Sequence, residues 1–329
     1  MVEMTYRDAL RQALRDAMSE DDSVMVMGEE VGRYGGAYGV TKGLYEEFGA
    51  DRMLDTPISE PAIIGAAVGA AMSGLRPVAE LMYIDFIGMT MDQLGNQAAK
   101  IRYMFGGQIG VPIVLRTQGG TGRSAGAQHS QSLEAYIMHT PGLRLVMPAT
   151  VFDAYHLLRQ SLKQPDPVVF IEHKALYTLK EDVDLNAPAP AWGEAVIRRR
   201  GSDLVIVTYS RQLHYCLTAA EALAKKGIEA TVIDLRSLNP LDFETVRRAV
   251  EPIGRVMVVS EGAMTAGVGA ELSARIHEEC FDFLAEPVIR VCGEDIPISV
   301  SVDLETHSVP TTALIQQVAE RILEERKAS

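Results

Sequence analysis

Apolar residues fall in short, unbroken blocks along this chain, and amphipathic stretches separate the blocks. Residues 24–27, 52–54, 77–81, 111–116, 144–146 and 168–171 are brief and mostly Val, Leu, Ile or Met. Such runs mark strands covered on both faces of a parallel sheet. Between them, residues 5–19, 41–48, 88–102, 132–139 and 152–162 carry helical periodicity. The second half repeats the alternation, with strands predicted at 204–208, 230–233, 256–259 and 288–291 and a closing helix at 311–325. The pattern predicts an α/β fold of two parallel-sheet, three-layer domains with right-handed crossovers. Residues 180–191 are acidic, proline-bearing and aperiodic, which reads as a linker. The expected organisation is a first domain over 1–180, a linker over 181–195 and a second domain over 196–329.

One stretch organises the first domain. Asp55-Thr-Pro-Ile-Ser-Glu60-Pro-Ala-Ile-Ile-Gly runs on through small apolar residues to Gly74. It reads as a strand end, a turn capped by Ser59, and a helix that Pro61 opens and Gly74 closes. Gly65 and Gly69 stand four apart, so another helix can approach closely. Glu60 is the odd member. The plainer reading is a first-turn acid favoured by the helix dipole; the functional one is a carboxyl in an apolar groove that shares a proton with a ligand nitrogen.

Charge narrows the partners. Acidic residues outnumber basic ones by 44 to 31, a net charge of −13, which disfavours nucleic acid and anionic membranes. The run Arg198-Arg199-Arg200 is short and reads as a solvated strand end. No apolar segment reaches membrane-spanning length. Cys216, Cys280 and Cys292 lack metal-ligand spacing and fit buried thiols in a reducing compartment. With an amphipathic opening helix rather than a signal peptide, the expectation is a cytoplasmic protein.

Other chemistry is softer. Gly120-Thr-Gly122 follows a strand, but the next glycine, Gly126, comes one position late for a dinucleotide fingerprint, and no Walker A sequence occurs. His129, in Ala127-Gln-His-Ser-Gln, follows this glycine loop and suits a general acid or base, although a histidine satisfied by loop backbone is the commoner case. Met82, Tyr83 and Phe86 lie at the C-terminal end of a buried strand, where open parallel sheets bind ligands. Ser124 and Ser130 sit near His129 without a Gly-x-Ser-x-Gly elbow, which argues against a hydrolase.

Taken together, the motifs resemble one family. Gly28-Glu-Glu30-Val, Leu54-Asp-Thr-Pro-Ile-Ser-Glu60, Gly74-Leu-Arg-Pro-Val, Asn96-Gln-Ala-Ala-Lys, Ala127-Gln-His-Ser-Gln131 and Asp166-Pro-Val-Val-Phe-Ile-Glu172 occur in order. They are similar to the beta subunits of thiamine-diphosphate-dependent 2-oxo acid dehydrogenases, including pyruvate, branched-chain and acetoin dehydrogenase chains. The resemblance implies a pyrimidine-binding domain followed by a transketolase C-terminal-like domain. It assigns Glu60 to the aminopyrimidine ring nitrogen, with Glu30, Ile58, Met82 and Phe86 on the pyrimidine side. It assigns His129 to substrate handling and acyl transfer to lipoamide, and Tyr83 to the substrate pocket. The cofactor would act as electron sink for decarboxylation.

The chain has no Gly-Asp-Gly sequence, the motif that holds magnesium diphosphate in thiamine enzymes. The resemblance places that half-site on an alpha subunit. It therefore implies two alpha and two beta chains, inactivity of the beta chain alone, and docking on a dihydrolipoyl acyltransferase core. It also suggests a potassium ion at Ile113, Ser161, Leu162, Gln164 and Asp166, although Gln164 replaces a usual acid. Residues 297–310 follow the family's proline-aromatic pattern only loosely. The substrate stays open between pyruvate-type 2-oxo acids and acetoin. A transketolase-like carboligase subunit and a non-catalytic scaffold are the rival readings.

Overall fold

A computed structural model describes residues 1–328, with side chains through residue 323. It divides into two compact units. Met1–Gly119 and Tyr136–Trp192 form one, and Gly120–Ala135 joins residues from Gly193 onward in the other.

The first unit contains β1 (Val2–Thr5), α1 (Tyr6–Glu20), β2 (Val24–Gly28), α2 (Leu44–Phe48), β3 (Met53–Asp55), α3 (Glu60–Met72) and β4 (Arg76–Leu81). Then come α4 (Ala99–Met104), β5 (Val114–Gly119), α5 (Glu134–Met138, at the boundary between units), β6 (Arg144–Val146), α6 (Val151–Ser161), β7 (Val168–His173) and β8 (Lys180–Val183). Six of its strands run parallel in the order β6-β7-β5-β4-β2-β3. Every residue of β2, β5 and β7 is buried, as continuous apolar blocks require when helices cover both faces. Thr5 caps α1 by accepting from the Asp8 amide. The buried face of α1 (Leu10, Leu14, Met18) shares one core with Leu157 and Leu158 of α6.

Two stretches of the first unit depart from the sequence expectation. The helix expected over 88–102 is three pieces: a 3₁₀ helix Ile84–Thr90, a π-helix Asp92–Ala98, and α4. Gly88 and Gly95 weaken a regular α register at these positions. At the start of the stretch expected as a linker, Lys180–Val183 forms a strand that pairs antiparallel with Val2–Thr5. The ribbon carries an exposed Lys180–Glu3 ion pair of 3.1 Å, and of its second strand only Val183 is buried in the core, so no apolar period announced it.

The second unit contains β9 (Val196–Arg199), β10 (Leu204–Thr208), α7 (Gln212–Ala224), β11 (Ala230–Asp234), β12 (Ser237–Asn239), α8 (Phe243–Val250), β13 (Val256–Ala263), α9 (Val268–Cys280), β14 (Ile289–Gly293), α10 (Val302–His307) and α11 (Thr312–Ala328). Its main sheet runs β14-β13-β10-β11-β9, parallel except for β9. Arg198, expected in solvent, instead reaches from β9 to the fully buried Asp234 at 2.9 Å. All three cysteines are free and buried. Among the described residues no helix is long and apolar enough to cross a membrane.

Candidate active site

In the first unit, acids gather at the C-terminal ends of β2 and β4. Glu60 is the first residue of α3, and only 8% of it is exposed. Ser59 holds the N-cap position without a side-chain capping bond, so Pro61 is the local feature that opens the helix. The Glu60 carboxylate accepts no hydrogen bond from any described residue. Glu29 follows β2, and its carboxyl is pushed above the ordinary range by burial, then by Glu60, Glu80 and Glu30. Two neighbouring acids therefore share a partly dry site without a cation between them, an arrangement that costs stability until a ligand supplies donors.

Glu80 closes the base of the cluster. It is 5% exposed, and burial raises its pKa against the opposing pull of Arg116. Arg116 on β5 donates to Glu80 at 2.8 Å and to both oxygens of Glu172 on β7, at 2.7 and 2.8 Å. Burial lowers the guanidinium pKa, but Glu172 and Glu80 outweigh it and the net shift is upward. Tyr177 donates to Glu172 at 2.6 Å. Its ring stacks on Tyr38 at 4.9 Å, and Tyr38 donates to the Tyr83 hydroxyl at 3.1 Å. The ion network thus reaches the phenols near the end of β4 in defined steps. Gly28 is required where β2 passes β4: a Cβ there would stand 2.8 Å from the Glu80 carbonyl oxygen.

The residues named from sequence are distributed unevenly. Glu60, Met82, Tyr83 and Phe86 are buried or half-buried, and the Tyr83 and Phe86 rings meet edge-on at 6.5 Å. Tyr83 adopts φ +70°, a conformation that costs a non-glycine residue energy and that surrounding contacts must enforce. Ile58 is 79% exposed. Glu30 is exposed at φ +54°, whereas Glu29, which the sequence reading passed over, is half-buried and is the member of the pair whose carboxyl Glu60 pushes upward. A glutamate pair after a strand offers no period from which to choose between its members.

His129 is half-buried on a loop of the second unit, and its amide donates to the Gly126 carbonyl at 3.3 Å. At the suggested potassium position, Arg76 donates to the Leu162 carbonyl at 2.8 Å and the Gln164 carbonyl at 3.4 Å. The Ile113 carbonyl accepts from Val168 and that of Ser161 from Gln164. The Asp166 carboxylate pairs with Arg102 and Arg144. A fixed guanidinium therefore already lies on two of the candidate ligands.

Comparison with known proteins agrees with the fold. Residues 2–180 match the family described as "Transketolase, pyrimidine binding domain" and residues 193–315 match "Transketolase, C-terminal domain". A solved structure titled "Split gene transketolase, inactive beta4 tetramer" superposes with a TM-score of 0.80 over 97% of both chains, at 18% identity, and so shares the fold. These matches define a two-domain chain of the transketolase class. Over 330 residues it is 44% identical to "Acetoin:2,6-dichlorophenolindophenol oxidoreductase subunit beta" of Cupriavidus necator, covering 97% of each chain. Over 324 residues it is 44% identical to "Pyruvate dehydrogenase E1 component subunit beta-2, mitochondrial" of Oryza sativa subsp. japonica, covering 97% of this chain and 86% of the relative. The chain belongs to the family of pyruvate dehydrogenase and acetoin dehydrogenase beta subunits.

Proposed function

We propose that this chain is the beta subunit of a thiamine-diphosphate-dependent 2-oxo acid dehydrogenase of the pyruvate type. Its reaction is oxidative decarboxylation with acyl transfer to lipoamide, at a site completed by an alpha subunit. The observation that carries the reading is the cluster of Glu60 and Glu29, two buried or half-buried acids without a cationic partner. An aminopyrimidine offers the missing donors, and a ring nitrogen can share a carboxyl proton. The match of residues 2–180 to a pyrimidine-binding family supports the same ligand.

When bound, thiamine diphosphate supplies the electron sink for decarboxylation. Glu60 would hold the pyrimidine ring nitrogen and set its protonation. Glu29 would lie beside it, and Met82 and Phe86 would exclude water and pack the ring. Tyr83, set by Tyr38, would line the substrate pocket, and His129 would handle substrate and the departing acyl group. Ile58 and Glu30, the other two pyrimidine-side positions, are both exposed in this chain.

With no Gly-Asp-Gly in the chain, magnesium would be held by the alpha subunit. The expected assembly is two alpha and two beta chains on an acyltransferase core that bears the lipoyl arm. Potassium at 113–166 has Arg76 as a competitor; exchanging sodium for potassium should raise the thermal midpoint of the complex if the ion binds there, and an unchanged midpoint removes it. Domain limits of 1–180 and 196–329 remain part of this reading.

The second reading, acetoin oxidation, is favoured by the Cupriavidus necator relative. A pocket that must distinguish one methylene gains only about 1–3 kcal/mol, so substrate is settled by assay. The chain co-expressed with its alpha partner should reduce an artificial acceptor with pyruvate, 2-oxobutyrate, a branched 2-oxo acid or acetoin, dependent on thiamine diphosphate and magnesium. Either chain alone should be inactive. Glu60→Gln should lower the rate about 10²–10⁴-fold, the range for losing a positioned proton-transfer group. A well-formed heterotetramer inert with all four substrates would turn the reading to a carboligase or a scaffold.

A further inference from the structure

We propose that Glu261 and Glu305 are positioning residues for His129, acting through the loop that carries it. The functional half of this inference rests on the role proposed for His129; the clamp on the loop does not.

The loop is irregular. Gly120, Gly122, Ser124 and Gly126 all adopt positive φ, between +51° and +94°. Its own backbone bonds include one at the base, Gly120 amide to Gln131 carbonyl at 2.9 Å, and one from His129 to Gly126. Arg123, Ala125, Ala127 and Gln128 are exposed, so apolar burial contributes little to its order. Instead its amides point at carboxylates. The Thr121 amide donates to Glu261 Oε1 at 2.6 Å, and the Thr121 hydroxyl donates to the same oxygen at 2.9 Å. The Gly122 amide donates to Glu305 Oε1 at 2.9 Å; the Ser124 amide donates to Glu305 Oε2 at 3.0 Å, with its hydroxyl at 3.3 Å. Glu261 is 8% exposed and Glu305 4%.

Successive amides in an αL-rich loop form a concave anion seat. Here the anions come from β13 and α10, and charge-assisted bonds of this kind are the stronger ones. Two further groups leave the loop little room. Arg211 donates to the Thr121 hydroxyl at 3.2 Å, and Val300 Cγ1 lies 3.0 Å from where a Cβ on Gly126 would stand. Neither glutamate is placed against reacting atoms; each acts by fixing the backbone from which His129 projects.

The test uses the heterotetramer. In the unaltered complex, the Gly122 and Ser124 amides should exchange with deuterium at least about tenfold more slowly than unbonded loop amides, since each is bonded to a charged acceptor. Glu305→Gln, and independently Glu261→Gln, should accelerate tryptic cleavage after Arg123 and lower kcat for lipoamide acylation about tenfold, with cofactor affinity and thermal midpoint little changed. Combined with His129→Ala, either variant should add almost no further loss, because both routes remove the same positioned group. That non-additivity is a signature that general destabilisation does not give. Amides exchanging at the unprotected rate, or additive losses in the double variants, would overturn the proposal. A fully active His129→Ala variant with a protected loop would instead overturn the role proposed for His129 and leave the clamp standing.

Discussion

Arg116 and Glu172 meet through two parallel hydrogen bonds, 2.7 Å from Nε and 2.8 Å from Nη2, with the arginine 1% exposed and the glutamate fully buried. The third donor direction goes to Glu80. A guanidinium between two carboxylates is the geometry in which loss of one partner costs most, because the remaining charges stay dry and unpaired. Arg116→Ala is expected to destabilise the first unit by about 3–5 kcal/mol, measured by denaturant titration. Arg116→Lys should recover only part of this, since an ammonium cannot make the paired bonds.

The adjacent glutamates after β2 should behave differently. Glu29→Gln is expected to lower thiamine-dependent activity about tenfold or more, whereas Glu30→Gln should stay within about twofold, as an exposed side chain would. Steady-state kinetics on the assembled complex separate the two, and equal losses would show that burial does not distinguish the roles of this pair.

Glu134 gives a pH prediction. Burial raises its pKa, against the hydrogen bond that Tyr209 donates to it at 2.7 Å. An acid that binds its proton more tightly folded than unfolded contributes fully below the unfolded pKa, about 4.3. That contribution is lost as pH climbs towards the folded value. Glu134→Gln keeps an acceptor for Tyr209 and removes the charge. It should match the unaltered protein near pH 4 and exceed it above neutrality by about 1 kcal/mol, roughly 2–4 °C in thermal midpoint. A stability difference independent of pH would contradict this assignment.

Gly28→Ala probes the crossing of β2 and β4. Its methyl carbon would sit 2.8 Å from the Glu80 carbonyl and 3.0 Å from the Glu80 Cβ, so the strands must part. A cost of about 1–3 kcal/mol, typical of overpacking, should appear together with weaker thiamine diphosphate binding. Circular dichroism melting and cofactor titration read the two effects.

Much of this was legible in the sequence because it depends on local pattern. The apolar blocks of β2, β5 and β7 declare two-sided burial, and Pro61 after Ser59 declares the start of α3, which places Glu60. What could not be read depends on contacts without period. Arg116 sits at the end of an apolar block as a lone polar residue, and its partners lie 36 and 56 positions away. Glu30 looks equivalent to Glu29 until the chain turns at positive φ and sends it outward. Glu305 falls in a stretch with only a loose motif, and its bond to the Gly122 amide spans 183 residues.

The excursion of Gly120–Ala135 means that the chain passes between its two units three times, after Gly119, Ala135 and Trp192. No single cut releases both units whole. A fragment ending at the acidic stretch after β7 would keep a segment whose polar groups have lost their acceptors, and the complementary fragment would lack the amides that its own glutamates hold. During synthesis the Gly120–Ala135 segment therefore waits, after it is made, for the rest of the unit it belongs to. A gene fusion or exchange that joined this chain's halves to those of a relative would have to recombine at three places, not one, to keep each unit's own stitching.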